Sequence, residues 1–306
     1  MDGLRYKLSR LLPGMTLISG EPLSGHTSFR IGGPADLMVL PSGSGELRAC
    51  ILAAREEGVP LTVIGNGTNL LVSDAGVRGL VLKLREGMSD IRLAGEHTIE
   101  ADAGALLSSV AVFARDAGLC GLEFAHGIPG TLGGAVVMNA GAYGGEIGAL
   151  LARTEYLDAD GTPGAIEGAQ HAFGYRESFY TRNSGCIVTR ARIVLAPGGR
   201  EEIKARMDEL AARRRASQPL EKPSAGSVFK RPPGHYAGAL IEGCALKGER
   251  IGGAMVSEKH AGFIVNAGGA TASDVLALIE LVQKRVFEET GVRLEREIKV
   301  IGDFSE

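Results

Sequence analysis

The spacing of apolar residues in the first third of the chain predicts a β-α-β unit. The predicted strands are Asp36–Leu40 and Pro60–Ile64. Between them, apolar residues recur on one helix face, with a serine that can cap the helix and a glycine that ends it: Ser44, Leu47, Ile51, Ala54 and Gly58. The second strand leads directly into a polar glycine turn.

The middle of the chain predicts a second α+β region, followed by a charged helix. Its predicted elements are the strands Gly79–Leu84, Thr98–Ala101, Arg153–Asp158 and Cys186–Leu195 and the helix Ala105–Ala117. The charged helix, Glu201–Ala216, has apolar residues at Ile203, Met207 and Leu210 and stops at Gln218-Pro219. This turn predicts a domain boundary.

The last third predicts a compact α+β region. Its elements are a segment at Ser227–Lys230, a short helix at Ala237–Glu242, a longer helix at Ser273–Glu289 and a strand at Ile298–Ile301. In the longer helix, the N-cap is assigned to Ser273 and the inward positions to Leu276, Ile279 and Val286.

The composition is that of an ordinary globular protein. Of 306 residues, 44% are hydrophobic and 23% are charged, and the net charge of −3 gives no reason to expect nucleic acid or an anionic membrane as a partner. The apolar runs are too short to span a membrane, and no secretory signal is expected. The cysteines are widely spaced, which predicts free thiols in a reducing cytoplasm and neither zinc nor disulfides: Cys50, Cys120, Cys186 and Cys244.

Glycine is the unusual feature of the composition. The chain has 45 glycines, where average usage gives about 20. Two segments are notably rich in glycine, Gly65–Leu70 and Gly127–Ala135. The first follows a strand and can be a phosphate-binding turn or a plain tight turn, since it lacks both the dinucleotide fingerprint and the Gly-Lys-Ser/Thr of a P-loop. The second has few polar side chains, which suits a flat, extended ligand lying against the backbone.

These segments belong to a longer series of motifs. In chain order they are Thr27–Ala35, Gly65–Leu71, Gly121–Tyr143, Tyr175–Ser178, Gln218-Pro219, Ala225–Lys230, Ile251–Asn266 and Leu294–Glu297. In this order, and over nearly the whole chain, they resemble the UDP-N-acetylenolpyruvoylglucosamine reductases, flavoenzymes of peptidoglycan synthesis. One motif alone would carry little weight, whereas the whole series is specific.

The resemblance implies an α+β fold and a cofactor. A two-part flavin-binding domain of the vanillyl-alcohol-oxidase (PCMH) type is expected at residues 1–75 and 76–200, and an α+β substrate-binding domain at 201–306. FAD is expected to be non-covalent, because the first glycine turn has no histidine for attachment, and NADPH is the expected hydride donor. The cofactor contacts that it implies are Gly65, Asn66, Gly67, Thr68, Asn69, Leu70, Gly127, Ile128, Pro129, Gly130, Thr131, Gly133, Gly134, Ala135, Asn139, Gly141 and Ala142.

The implied reaction reduces the enolpyruvyl vinyl ether of a UDP-sugar, a step that serves cell-wall biogenesis and with it cell shape and division. Arg176 matches the catalytic arginine, whose planar guanidinium can hold the carboxylate of an enolate-like intermediate. Ser227 matches the proton donor and Glu297 the second catalytic position. Glu297 would donate a proton if neutral or orient its neighbours if ionised. Glu295 lies two residues away and would face the same side of a strand.

Further residues match substrate contacts of the family: Tyr175, Arg215, Lys230, Arg231 and His260. Arg231 departs from the family, which often has an asparagine there that helps to hold the diphosphate. The short run from Arg176 to Ser227 indicates the subgroup that lacks an extra tyrosine-bearing loop. His260 has no second histidine at ligand spacing, so no metal is expected. We expect a cytoplasmic monomer or weak oligomer.

Two other functions remain open at this point. A flavin oxidase of the same fold would consume oxygen, and a non-catalytic flavin- or nucleotide-binding regulator would have lost catalytic residues. Retention of Arg176, Ser227 and Glu297 favours the reductase over the regulator. Reoxidation of the reduced flavin by the enolpyruvyl nucleotide, and not by oxygen, would distinguish it from an oxidase.

Overall fold

A computed structural model describes residues 1–304 of the chain. The helices are α1 Asp2–Leu11, α2 Ser44–Glu56, α3 Leu107–Asp116, α4 Leu132–Val137, α5 Phe179–Arg182, α6 Arg200–Ser217, α7 Ala237–Gly243 and α8 Ala272–Thr290. The strands are β1 Leu17–Pro22, β2 Pro34–Val39, β3 Leu61–Ile64, β4 Leu70–Val72, β5 Val77–Lys83, β6 Ile91–Gly95, β7 Thr98–Asp102, β8 Leu119–Cys120, β9 Gly141–Ala142, β10 Gly145–Glu146, β11 Leu151–Leu157, β12 Pro163–Glu167, β13 Ile187–Val194, β14 Ala196–Pro197, β15 Ser224–Ser227, β16 Arg250–Ile251, β17 Ala254–Val256, β18 Phe263–Asn266 and β19 Lys299–Ile301.

Three larger sheets form the framework. Their strand orders are β1-β2-β5-β3, β12-β11-β13-β7-β6 and β15-β18-β17-β16, and the short pairs β10-β9, β14-β8 and β19-β4 accompany them. Strands β3 and β5 run parallel, whereas the five-stranded sheet and the last sheet are antiparallel.

The described residues divide into two compact units. Unit 1 comprises Met1–Ser19, Leu37–Asn66 and Gly79–Arg214, and unit 2 comprises Gly20–Asp36, Gly67–Arg78 and the chain from Arg215 onward. Residues 67–78 join the last third of the chain because β4 pairs in parallel with β19. The three contiguous domains expected from the sequence, 1–75, 76–200 and 201–306, stay a prediction.

Each unit has its own hydrophobic core. The apolar positions predicted for α2 and α6 are all buried in unit 1: Leu47, Ile51, Ala54, Ile203, Met207 and Leu210. In unit 2, α8 buries one face: Val275, Leu278, Ile279, Val282 and Val286. Leu276, predicted to face inward, is only half-buried at the margin of this face.

Several boundaries predicted from the sequence are wrong in detail. Helix α2 is preceded by Gly43 and not by Ser44, which is its first residue. The N-cap of α8 is Thr271, because its hydroxyl accepts the N–H of Asp274 at 3.0 Å and the Asp274 carboxylate accepts the N–H of Thr271.

The sheets also differ from the predicted order of elements. The two strands of the predicted β-α-β unit are not neighbours, since β5 lies between β2 and β3. Strand β13 is the central strand of its sheet, and the solvent-facing strand β6 had not been predicted.

Candidate active site

Ser227 and Glu297 lie on neighbouring chain segments of unit 2. The N–H of Glu297 donates to the carbonyl oxygen of Val228 at 2.7 Å, and the N–H of Lys230 donates to the carbonyl oxygen of Glu295 at 2.8 Å. These two bonds flank an isolated bridge between Phe229 and Arg296. The chain thus carries the predicted acid and the predicted carboxylate side by side, although 70 residues of sequence separate them.

The backbone before Ser227 is irregular. Ser224 pairs with Val265 and Ser227 with Phe263, so the two strands shift register between these pairs. Gly226 lies in this bulge with φ +79°, and a Cβ there would meet nothing within 4 Å. The glycine is therefore required by its left-handed conformation and not by close packing, and the bulge determines which way Ser227 faces.

The structure separates the two glutamates that the sequence left similar. Glu297 is half-buried, whereas Glu295 is exposed and pairs with Lys230 at 3.3 Å. The segment at Glu297 also meets the first glycine turn, because Asn69 Nδ2 donates to the Glu297 carbonyl oxygen at 3.4 Å. Glu297 therefore fits a protected role better than Glu295 does.

Arg176 lies at the tip of a tight hairpin in unit 1. Gly174 and Glu177 exchange both main-chain hydrogen bonds, at 3.0 and 3.2 Å, and leave Tyr175 and Arg176 between them. Arg176 has φ +58°, an uncommon conformation for a residue with a side chain. Its guanidinium carbon lies 5.2 Å from the centre of the exposed Tyr175 ring, a cation–π contact.

The two glycine segments meet in unit 1 at the end of β3. Asn66 Nδ2 donates to the carbonyl oxygen of Pro129 at 2.6 Å. A Cβ on Gly65 would lie 2.4 Å from Thr131 Oγ1, and one on Gly133 would lie 2.9 Å from the Ala103 side chain. These glycines are needed for packing inside the protein, so part of the clustering that suggested a ligand has a structural cause.

The remaining backbone of this segment fits FAD. The amides of Leu132 and Gly133 are used by carbonyl groups of the 103–105 loop, but Gly134 is exposed on α4 and Pro129 is exposed beside it. A Cβ at Gly134 would come no closer than 3.5 Å to a protein atom. The amide of Gly134 donates to Thr131 Oγ1 at 3.4 Å, so this surface offers exposed backbone without side chains, which suits a flat ring system.

The rest of the first glycine turn belongs to unit 2. The Gly67 carbonyl oxygen accepts the N–H of Ser28 at 3.1 Å, and the Asn69 carbonyl oxygen accepts the N–H of Lys299 at 2.9 Å. Within unit 2, the part of the turn from Gly67 onward is thereby bonded both to Ser28 and to the segment that follows Glu297.

Comparisons with known proteins decide the family. Residues 218–301 match the C-terminal domain of UDP-N-acetylenolpyruvoylglucosamine reductase, and residues 35–163 match an FAD-binding domain. The reductase of Caldanaerobacter subterraneus subsp. tengcongensis is 50% identical over 97% of each chain, and that of Agathobacter rectalis is 49% identical over 96% of each. The chain belongs to the UDP-N-acetylenolpyruvoylglucosamine reductase family.

Solved structures agree with this assignment. The crystal structure of the reductase from Thermus caldophilus aligns with a TM-score of 0.81 and 40% identity over 94% of this chain and 99% of its own. A variant of Phl p 4, described as a glucose dehydrogenase, aligns at a TM-score of 0.50 and 14% identity over 95% of this chain and 63% of its own. At that identity the likeness concerns the fold alone.

The expectations of an α+β flavoprotein fold, an FAD cofactor and a reductase are therefore confirmed. As a member of this reductase family, the chain is an FAD-dependent oxidoreductase that takes its electrons from NADPH. Within residues 1–304, no helix is both long enough and apolar enough to span a bilayer.

The arginines near the end of α6 differ in exposure. Arg215 is exposed, whereas Arg214 is half-buried and donates to the carbonyl oxygen of Gly127. Burial lowers the pKa of Arg214. The signal was present in the sequence, because Arg214 follows Leu210 by four residues and so continues the buried face of α6. A substrate contact by Arg215 stays a prediction.

Three further predicted substrate contacts lie in unit 2, whereas Tyr175 lies in the hairpin of unit 1. Lys230 is half-buried beside Glu295. Arg231, which replaces the usual asparagine, lies 3.9 Å from the centre of the Tyr236 ring, and its Nε donates to the His235 carbonyl oxygen at 3.3 Å. Arg231 is thus anchored within its own loop, and its part in holding a diphosphate stays a prediction.

His260 is half-buried next to the strand of Ser227. Its Nδ1 accepts the N–H of Gly262 at 3.1 Å, and its ring lies edge-on to Phe263 at 5.0 Å. Desolvation lowers the pKa of His260 below its usual value. The neutral ring therefore carries its proton on Nε2, and a substrate contact by His260 stays a prediction.

Proposed function

We propose that this chain reduces the enolpyruvyl group of UDP-N-acetylglucosamine enolpyruvate to a lactyl ether, giving UDP-N-acetylmuramate for peptidoglycan synthesis, with Arg176, Ser227 and Glu297 as its catalytic residues. The observation that carries the proposal is the adjacency of the Ser227 and Glu297 segments through the Glu297–Val228 hydrogen bond, in a chain that keeps the family's motifs in order. A cytoplasmic location and a monomeric or weakly oligomeric state stay predictions.

The substrate determines what the protein must supply. Bound FAD, reduced by NADPH, supplies a hydride for the β-carbon of the vinyl ether. The electron pair of the double bond then moves to the α-carbon and into the neighbouring carboxylate, and the α-carbon must take up a proton. The chain therefore needs a cation for the carboxylate and an acid near the α-carbon.

Arg176 suits the first role. A guanidinium stays charged and can bind both carboxylate oxygens, so it stabilises the additional charge as it forms. The hairpin fixes the backbone from which the side chain extends, and the Tyr175 ring supports the guanidinium.

Ser227 suits the second role only with help. A serine hydroxyl is a weak acid. It can protonate the α-carbon only because the carbanion is a strong base, and only if the hydroxyl lies close to it. The proton that Ser227 loses must be replaced, and the half-buried Glu297 on the adjacent segment can deliver it or orient a water that does.

Ser227→Ala tests the proposal. In stopped-flow experiments, the purified variant should bleach its flavin with NADPH at the normal rate. Reoxidation of the reduced flavin by the enolpyruvyl nucleotide should slow by about 10²- to 10⁴-fold. Ser224→Ala is the matched control, because Ser224 bonds Ser28 through its main chain in the same strand. Normal rates for both half-reactions of Ser227→Ala would show that Ser227 is not the donor.

The wild-type protein tests the activity itself and the oxidase alternative. Prompt flavin reoxidation by the enolpyruvyl nucleotide, with slow reoxidation by oxygen, is the expected result. Fast oxygen consumption without reoxidation by the nucleotide would overturn the reductase proposal.

A further inference from the structure

We propose that Asn139 is a positioning residue for Arg176 and not a contact of the flavin, which was its predicted role. The inference rests on the proposed catalytic role of Arg176. It is argued from unit 1 alone, where the end of the glycine-rich segment meets the arginine hairpin.

Asn139 is held entirely within the protein. Its side chain is buried, with 2% of the residue exposed. Nδ2 donates to the carbonyl oxygen of Gly174 at 3.0 Å, and Oδ1 accepts the N–H of Gly148 at 2.9 Å. Both ends of the amide are thus bonded to main-chain groups, which suits a structural role better than a ligand contact.

The bond to Gly174 acts on the hairpin of Arg176. Gly174 closes that hairpin by exchanging two hydrogen bonds with Glu177, so fixing its carbonyl group fixes one end of a four-residue turn. Arg176 is at the tip with φ +58°, a conformation that persists only when the surroundings hold it. Asn139 provides this restraint on the N-terminal side.

A second side-chain hydrogen bond holds the other end of the hairpin. Ser178 is fully buried, and its hydroxyl donates to the carbonyl oxygen of Val137 at 2.8 Å. Val137 ends α4, two residues before Asn139. Both ends of the arginine hairpin are therefore tied to the same short segment, 137–139, which directly follows the proposed flavin-facing helix.

The residue type at position 139 is specific. Asn139 has φ +41°, which asparagine tolerates better than most residues with a side chain. Aspartate could still accept from Gly148 but could not donate to Gly174. The neighbouring chain also leaves room for the amide: a Cβ on Gly148 would lie 2.9 Å from Asn139 Oδ1 and 2.8 Å from the Phe173 ring.

Asn139→Asp tests the inference, because it keeps the size of the side chain and removes one donor. Flavin content, the visible spectrum and flavin reduction by NADPH should stay within about 2-fold of wild type. Reoxidation by the enolpyruvyl nucleotide should slow by at least about 10-fold, since small displacements of a catalytic group are costly. Asn183→Asp is the control, as Asn183 is exposed and also donates to a carbonyl oxygen, that of Phe179 at 2.9 Å.

A second measurement separates positioning from a general loss of structure. In an Arg176→Lys background, where bidentate binding is already lost, adding Asn139→Asp should slow reoxidation by no more than about 2-fold further. If Asn139→Asp does not fold, Ser178→Ala must likewise slow reoxidation by the nucleotide while leaving flavin reduction by NADPH unchanged. Loss of flavin, equal slowing of both half-reactions or full additivity with Arg176→Lys would overturn the inference. A wild-type protein that fails to turn over the nucleotide would instead reject the proposed function.

Discussion

The main-chain N–H of Glu297 lies 2.7 Å from the carbonyl oxygen of Val228 and donates a hydrogen bond to it. Val228 follows Ser227 directly, so this bond holds the predicted carboxylate and the predicted proton donor on adjacent segments. Glu295 lies on the same segment but is exposed and paired with Lys230. The two glutamates lie two residues apart on one segment and nevertheless have different surroundings.

This difference leads to a paired test of the glutamates. Glu297→Gln should slow flavin reoxidation by the enolpyruvyl nucleotide by about 10²-fold or more, because the replacement can neither donate an acid proton nor carry charge. Glu295→Gln should change the same rate by less than about 3-fold, because exposed ion pairs contribute little. Stopped-flow traces of both variants decide the matter, and a larger effect at Glu295 would mean that the roles are exchanged.

For the arginine hairpin, the informative change is Arg176→Lys. Lysine keeps the positive charge but not the planar fork, so reoxidation by the nucleotide should slow by about 10-fold or more while NADPH still reduces the flavin normally. Arg182→Lys provides the comparison, since Arg182 is exposed and pairs with Glu177 near the same hairpin. Should Arg176→Lys retain the wild-type rate, bidentate carboxylate binding at this position would be ruled out.

The proposed flavin surface on α4 can be tested through Gly134→Ala. A Cβ there has room in the protein, so alanine should raise the stability of the apoprotein by about 0.5–1 kcal/mol through its better helix propensity. The affinity for FAD should fall, because the added methyl group occupies the surface against which the flavin is expected to lie. Thermal unfolding and FAD titration measure the two effects. Gly45→Ala in α2 is also exposed and unobstructed and should stabilise without altering FAD affinity.

The N-terminus of α8 predicts a pH dependence of stability. Hydrogen bonds from the main-chain N–H groups of Thr271 and Gly253 hold the pKa of Asp274 below its ordinary value. A depressed carboxyl pKa means that the stabilisation is present above the ordinary value of about 3.9 and is lost as pH falls through the folded-state pKa.

Denaturant titrations across pH 7 to 2 measure this contribution. Asp274→Ala should lower the free energy of unfolding at pH 7 by about 1–2 kcal/mol, as expected for loss of a capping side chain. It should also flatten the acid branch, which is the fall of the free energy of unfolding as the pH is lowered. Glu280→Ala, on the exposed side of the same helix, should leave the acid branch unchanged. An unaltered acid branch in Asp274→Ala would contradict the assignment.

Much of the local structure follows from the sequence alone. The apolar positions of α2 and α6 recur at helical spacing and are buried, since only that face can meet the core. The ordered motifs also identified the family and with it the cofactor, because a series of rare residue combinations is specific even when each one is weak. The N-caps were missed by one or two residues. Gly43 has no side chain that marks it as a cap, and Thr271 competes with the hydroxyl of Ser273, so only the backbone selects the position.

The tertiary structure decided what the motifs do. The sequence could not tell that Gly65 and Gly133 make room for the protein's own atoms, or that the amide of Asn139 brackets the hairpin of Arg176. Nor could it distinguish Glu295 from Glu297, because residues two apart on an extended segment are expected to face the same side. Side-chain type and spacing are local properties, whereas burial and hydrogen-bond partners depend on contacts between residues far apart in the chain, and the fold alone determines those contacts.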